Sequence, residues 1–285
     1  MLKRPTNYEE QIAILRNRGC VIDNEEFCRS VLEKVSYYRL SAYFIPFKAA
    51  GGNYQAGTGF NKVYALYEFD RKLRSLIFTA LEEVEVYLKS QMAYYHAHEY
   101  GADGYLTEKP FINKHDHAKF LAKIEELIHN NSNTPFVKHH IKEYGGIFPI
   151  WVMMELFTFG MVSYFYADMP AKDKKFISRG LYSTHPKNIE SWLYCCATLR
   201  NICAHYGRLY YRVFTSIPAH IPGLSKNSER RLFGALMALR ALYPDKNKWN
   251  TEIVTAMAAL VEESQDEINL WHIGFPKNWE SHVMK

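Results

Sequence analysis

The sequence predicts an all-α protein. Apolar residues recur at intervals of three and four, helix-capping residues bound those stretches, and the period-two alternation of strands is scarce. The 285 residues are 48% hydrophobic and 23% charged, ordinary globular usage that excludes disordered and low-complexity classes. No repeat of fixed period and no Pro/Ser-rich linker divides the chain. Residues 1–60 are therefore expected as an N-terminal helical extension and 61–285 as a helical domain with its C-terminal helices, together one globular unit.

The elements follow in order. Asn7 with Glu10 has the spacing of a capping box, and Gly19 supplies a stop. A second helix starts after Asp23 or Asn24 and buries Phe27, Val31, Leu32 and Val35. After an aromatic stretch from Tyr37 to Phe47, four glycines between Gly51 and Gly59 mark a loop. The longest signal, from Asn61 to Tyr100, steps through Leu66, Phe69, Leu73, Leu76, Ala80, Val84 and Leu88 and ends at Gly101. Further helices are predicted around 114–130, 135–144, 149–167, 171–180, 187–207, 226–242 and 247–265.

Residues 147–167 approach the length of a membrane span with one charge, Glu155. The central Glu155, Thr158, Gly160 and Ser163, and the lack of a second such run, predict a buried helix and no membrane association. The charged N-terminus lacks the pattern of a secretory signal, and five cysteines without C-x-x-C pairs show no disulfide or zinc spacing. A reducing cytoplasm is the expected location.

Charge is unevenly placed. Residues 171–215 hold eight Lys and Arg against Asp173 and Glu190, a balance of +6, whereas the whole chain carries +5. Inside this basic segment Ile189, Trp192, Leu193, Cys196, Leu199 and Cys203 predict a buried helix face, and Asn201, His205, Arg208 and Arg212 a polar stripe if the helix continues past Gly207. Arg200 lies five residues before His205, about 140° around a regular helix, so the two converge only if the arginine reaches round, the helix distorts or a second chain contributes. Guanidinium groups hold phosphate in a bidentate fork, and imidazole exchanges protons near neutral pH. Together they suit phosphodiester cleavage without a metal, or plain nucleic-acid binding.

The segment Arg200-Asn201-Ile202-Cys203-Ala204-His205 resembles the R-x4-6-H signature, with a polar residue after the arginine, of the HEPN superfamily of helical ribonucleases. More specifically, the chain resembles an Abi family abortive-infection protein of the AbiD/AbiF type. Six segments carry that likeness in order: QIAILRNRG, SYYRLSAYFIPF, LYEFDRKLRSLIFTALEEVEVYLKS, PIWVMMELFTFG, LRNICAHYGRLYYR and GFPKNWE. The resemblance implies a HEPN-type helical bundle, a homodimer and metal-independent RNA cleavage in phage defence, with some relatives working beside a small RNA or antitoxin partner. It assigns the catalytic positions to Arg200 and His205 and the polar slot to Asn201. Arg208 and Arg212 are then expected to hold flanking phosphates. Tyr210-Tyr211 departs from the Trp-Asn that relatives often carry there, while keeping the first position aromatic. Lys89 and His96 resemble a degenerate R-x6-H and are expected as secondary RNA contacts, although lysine lacks the planar fork.

Other motifs point to no further chemistry. His96-x-His98, His115-x-His117 and His139-His140 lack partners at ligand spacing, so no metal is expected. No phosphate loop or G-x-G-x-x-G suggests a nucleotide cofactor. Glu82, Glu83 and Glu85 read as a solvated helix face, and most of the 21 tyrosines as packing.

Overall fold

The computed structural model describes residues 4–284. Among them every regular element is helical, and extended chain pairs only at two isolated bridges, Val21 with Gly59 and Lys48 with Tyr54. The first helix, α1 (Tyr8–Asn17), opens on the expected capping box, with the Glu10 amide donating to the Asn7 side chain and the Asn7 amide to the Glu10 carboxylate. Asn24 caps α2 (Glu25–Lys34), and Ser36 caps the short α3 (Tyr37–Ser41). The long signal is one unbroken helix, α4 (Phe60–Tyr100), stopped by Gly101 at φ 88°. At 1.5 Å per residue it is about 60 Å long. It is followed by α5 (His117–Asn130) and α6 (Pro135–Glu143).

The apolar run after them is not the single helix expected over 149–167. It divides into α7 (Ile150–Leu156) and α8 (Phe159–Asp168), because Phe157 turns extended and the Met161 amide donates to the Thr158 hydroxyl to start a new helix. Both halves turn an apolar face into the core, so their apolar periodicity does not register the break. No described helix is long and apolar enough to cross a membrane.

Next come α9 (Ala171–Tyr182) and α10 (Pro186–Ala204). The helix expected over 226–242 is interrupted at Arg230-Arg231, giving α11 (Lys226–Glu229) and α12 (Leu232–Leu242). The 247–265 signal corresponds to α13 (Lys246–Lys248), a π-helical stretch (Trp249–Val254) and α14 (Thr255–Glu263), and α15 (Trp279–Val283) closes the chain.

The axis of the molecule is α10, which packs against α12, α8, α4 and α9. Its predicted face of Ile189, Trp192, Leu193, Cys196, Leu199 and Cys203 is buried, and Cys195 and Ala197 are buried as well, so that before its last turn only Lys187 and Tyr194 are exposed. All five thiols are free and buried. Burial pushes Cys20 and Cys203 up to about 12, and Cys28 and Cys195 up to about 11, which leaves them unreactive as nucleophiles.

The chain that follows α10 is held by a carboxylate. Asp70 on α4 is fully buried and receives the Tyr43 hydroxyl at 2.6 Å, the Tyr210 amide at 2.7 Å, the Leu209 amide at 3.1 Å and the Arg74 guanidinium. Burial pushes this carboxyl up from its ordinary value, opposed by Arg74 and the other donors. Tyr210 then carries the connection to the C-terminal region, since its hydroxyl accepts the Asn269 amide at 2.8 Å. Asp70→Ala leaves Arg74 buried without a counter-charge and two backbone amides without an acceptor. The expected loss in denaturant unfolding is about 3–5 kcal/mol. A loss below about 1 kcal/mol contradicts the anchoring role.

Candidate active site

The candidate site is built where α10 ends. The helix terminates at Ala204, with His205 as its C-cap. The Tyr206 amide donates to the Cys203 carbonyl at 3.1 Å and the Gly207 amide to the Ile202 carbonyl at 2.7 Å, the two bonds of a Schellman motif. The left-handed residue that the motif requires is Tyr206, at φ 56°, and not a glycine. A side chain in that conformation costs roughly 1–2 kcal/mol. Gly207 has its own constraint, because a Cβ there would lie 3.0 Å from the Ile202 side chain.

This termination breaks the polar stripe expected through Asn201, His205, Arg208 and Arg212. Asn201 and His205 stay on the last turn and its cap, both exposed, and no described residue hydrogen-bonds the His205 imidazole. Arg208 and Arg212 lie beyond the helix. Arg208 is half-buried and donates to the Ala42 carbonyl, while Arg212 Nε donates to the Arg208 carbonyl at 2.8 Å. Their guanidinium groups are thus partly committed to holding the chain, although Arg208 still lines a surface hollow.

Arg200 points to α4. Its Nε lies 3.4 Å from Glu85 Oε2 without hydrogen-bonding geometry, and its guanidinium carbon lies 5.8 Å from the Phe78 ring centre. Its terminal amino groups hydrogen-bond no described residue, leaving the fork open. Arg200 and His205 are neighbours on one helix end, yet no hydrogen bond joins them, in keeping with the 140° spacing.

Glu85 is not the solvated residue expected of it. Its side chain is 12% exposed, and it pairs through one oxygen with Arg200 and through the other with Lys89 at 3.1 Å. Lys89 therefore stands in the same cleft as Arg200, beside Glu82 and Glu155, but is bound to a carboxylate. The signal for this pair was present as a Glu followed four residues later by a Lys. Glu83 also has a partner, Lys248, at 2.6 Å.

His96 cannot be an RNA contact. It is 1% exposed, its ring lying 5.4 Å from Phe165 and 5.2 Å from Tyr100, and burial pushes it down to about 4, so the ring is neutral in the folded chain. Only Lys89 of that degenerate motif reaches the surface cleft. Among the described residues no group of three or more His, Cys, Asp or Glu converges as a metal-binding set.

The side of α4 beyond Phe78 holds residues that the sequence did not single out. A hollow of about 640 Å³ is bounded by Arg39, Tyr67, Arg71, Ser75, Phe78 and Tyr206. Arg39 Nη1 donates to the Tyr206 carbonyl at 3.0 Å, joining α3 to the turn after His205. These residues are 167 positions apart, and no local pattern in the sequence marks their meeting.

The fold and the site define an all-helical protein whose central helix ends in an Arg-Asn-His grouping, with Arg200 lining a cleft along α4 and Tyr206, just past the helix end, lining a basic and aromatic hollow. Residues 30–211 match the family model described as Abi-like protein, and the chain belongs to that family. No curated protein and no solved structure matches the chain significantly.

His96 gives this region a pH signature. In the unfolded chain the imidazole takes up a proton below its ordinary value near 6.5, whereas in the folded chain it resists until about 4. The unfolded state therefore binds the extra proton between those values, and its contribution to stability, on the order of 3 kcal/mol, is lost as pH falls through that window. His96→Leu should flatten the fall in a series of denaturant titrations from pH 7 to pH 4. An unchanged slope contradicts the assignment.

Proposed function

We propose that the protein is a metal-independent endoribonuclease of the HEPN type acting in abortive-infection phage defence. The observation that carries this reading is the exposed end of α10, where the open guanidinium fork of Arg200, the unpartnered imidazole of His205 and the Asn201 side chain share one helix terminus inside the family-matched region. In RNA the 2′-hydroxyl already sits beside the scissile phosphate, so attack by that oxygen saves the entropy of capturing water. His205 exchanges a proton with the attacking or leaving oxygen, a contribution of about 10² to 10⁴-fold for such groups. Arg200 stabilises the charge that builds on the phosphate, Asn201 orients it, and Arg208 and Arg212 offer positive charge to the flanking strand. DNA lacks the nucleophile.

The separation of Arg200 from His205 favours a site completed by two chains. An isologous homodimer brings a second copy of the segment into the same cleft. Val86 in the Arg200 cleft, and Tyr94 and Trp151 in the adjoining hollow that shares Lys89 and Glu155 with it, are all exposed and supply an apolar surface suited to that pairing. A small RNA or antitoxin is the partner that would restrain such an activity in the cell.

In a purified preparation, cleavage of RNA should survive EDTA, disappear in His205→Ala and fall by about 10²-fold or more in Arg200→Lys, which keeps the charge and loses the fork. In cells, the wild-type chain should slow growth without its partner, and His205→Ala should not. Equal toxicity of the two chains would place the activity elsewhere in the molecule.

A further inference from the structure

The Arg200 cleft is the less basic part of this surface, because Glu82, Glu85 and Glu155 line it with Lys89 and Arg200. Unpaired positive charge lies on the other side of Phe78. The 640 Å³ hollow there shares Phe78 with the Arg200 cleft and continues, through Arg39 and Tyr206, into a second hollow of about 450 Å³ that Tyr38, Lys48 and Arg208 also line and that no carboxylate enters. Arg71 and Arg74 are matched by Glu68 and Asp70, whereas no described carboxylate pairs with Arg39 or Lys48. The first hollow has aromatic walls, Tyr67, Phe78 and Tyr206, and Tyr206 is 69% exposed.

Tyr206 is the second, independent observation. Its left-handed backbone position is one where glycine ends a helix without strain. Strain that the surrounding fold holds in place, at an exposed aromatic residue adjoining the R-x4-H motif, points to a use for the ring outside the fold.

We propose that this hollow is a nucleobase subsite for single-stranded RNA. One unpaired base stacks on Tyr206 beside Phe78, and Arg39, Lys48 and Arg208 hold the adjoining phosphates, so the strand runs from the segment between Ser36 and Lys48 towards Arg200. Aromatic side chains bind bases of any sequence by their faces, and a duplex, whose bases are stacked and paired inside, offers no such face. The direction of the strand towards Arg200 rests on the ribonuclease reading; the subsite itself is a statement about binding.

The test uses the full chain carrying His205→Ala, so that binding is measured without turnover, and a short single-stranded RNA with one 2-aminopurine, followed by anisotropy and quenching. The fluorophore should quench on binding, and the same sequence in a duplex should bind at least tenfold more weakly. Tyr206→Gly should raise Tm by relieving the left-handed strain and yet weaken single-strand binding roughly tenfold. Arg39→Ala should make the salt dependence shallower. Unchanged RNA affinity in Tyr206→Gly, equal binding of duplex, or no binding of the single strand overturns the proposal. So does a Tyr206→Gly chain that loses self-association in light scattering while keeping its RNA affinity, because the face is then an interface between copies. Subsite binding that behaves as expected in a protein that never cleaves RNA would overturn the ribonuclease reading alone.

Discussion

The buried carboxylate of Asp70 is the constraint on which the arrangement depends. It lies on the long helix α4, far in sequence from the segment that it fixes, and it takes hydrogen bonds from Tyr43, Arg74 and the amides of Leu209 and Tyr210. Because those amides follow the end of α10 by a few residues, Asp70 determines where the chain goes after His205. The turn at Tyr206 and Gly207 is thereby held between a helix terminus on one side and a buried ion pair on the other. A polar network in this position is satisfied by specific partners at specific distances, unlike apolar packing, and so specifies one path for the chain.

That path has electrostatic consequences. Along α4 the surface changes character at Phe78, from a cleft in which Arg200 and Lys89 share Glu85 to hollows where Arg39 and Lys48 pair with no described carboxylate. Glu85 holds the Arg200 side chain against α4, and the terminal amino groups of Arg200 hydrogen-bond no described residue. In the proposed reaction a phosphate arriving at this fork would meet a guanidinium already oriented, which lowers the entropic cost of binding it.

Much of this was legible in the sequence. The 41-residue helix, its stop at Gly101, the capping box at Asn7 and the buried face of α10 all follow from local spacing, and local spacing is what a sequence displays directly. The Arg-Asn-His grouping was legible for the same reason. Four features were not. The break at Phe157-Thr158 separates two apolar halves that both pack a face into the core, so the hydrophobic pattern runs through it. The end of α10 was expected near a glycine, but the left-handed position is taken by Tyr206, a residue with no intrinsic preference for it. His96 has the composition of a surface residue and the burial of a core one, which only the packing of Phe165 and Tyr100 around it decides. The contacts of Arg39 with Tyr206 and of Asp70 with Tyr210 join residues more than 130 positions apart, and they are consequences of the fold as a whole.

In the proposed reaction the end of α10 performs phosphodiester cleavage through the substrate's own 2′-hydroxyl, with Arg200 and His205 as the reacting groups. End-group analysis of one RNA oligonucleotide, cut at a single position by the purified protein, tests it most directly. The expected products are a 2′,3′-cyclic phosphate on the upstream fragment and a 5′-hydroxyl on the downstream one, with no cut where a 2′-deoxynucleotide replaces the nucleophile. A 5′-phosphate end, or undiminished cleavage at the deoxy position, would contradict it.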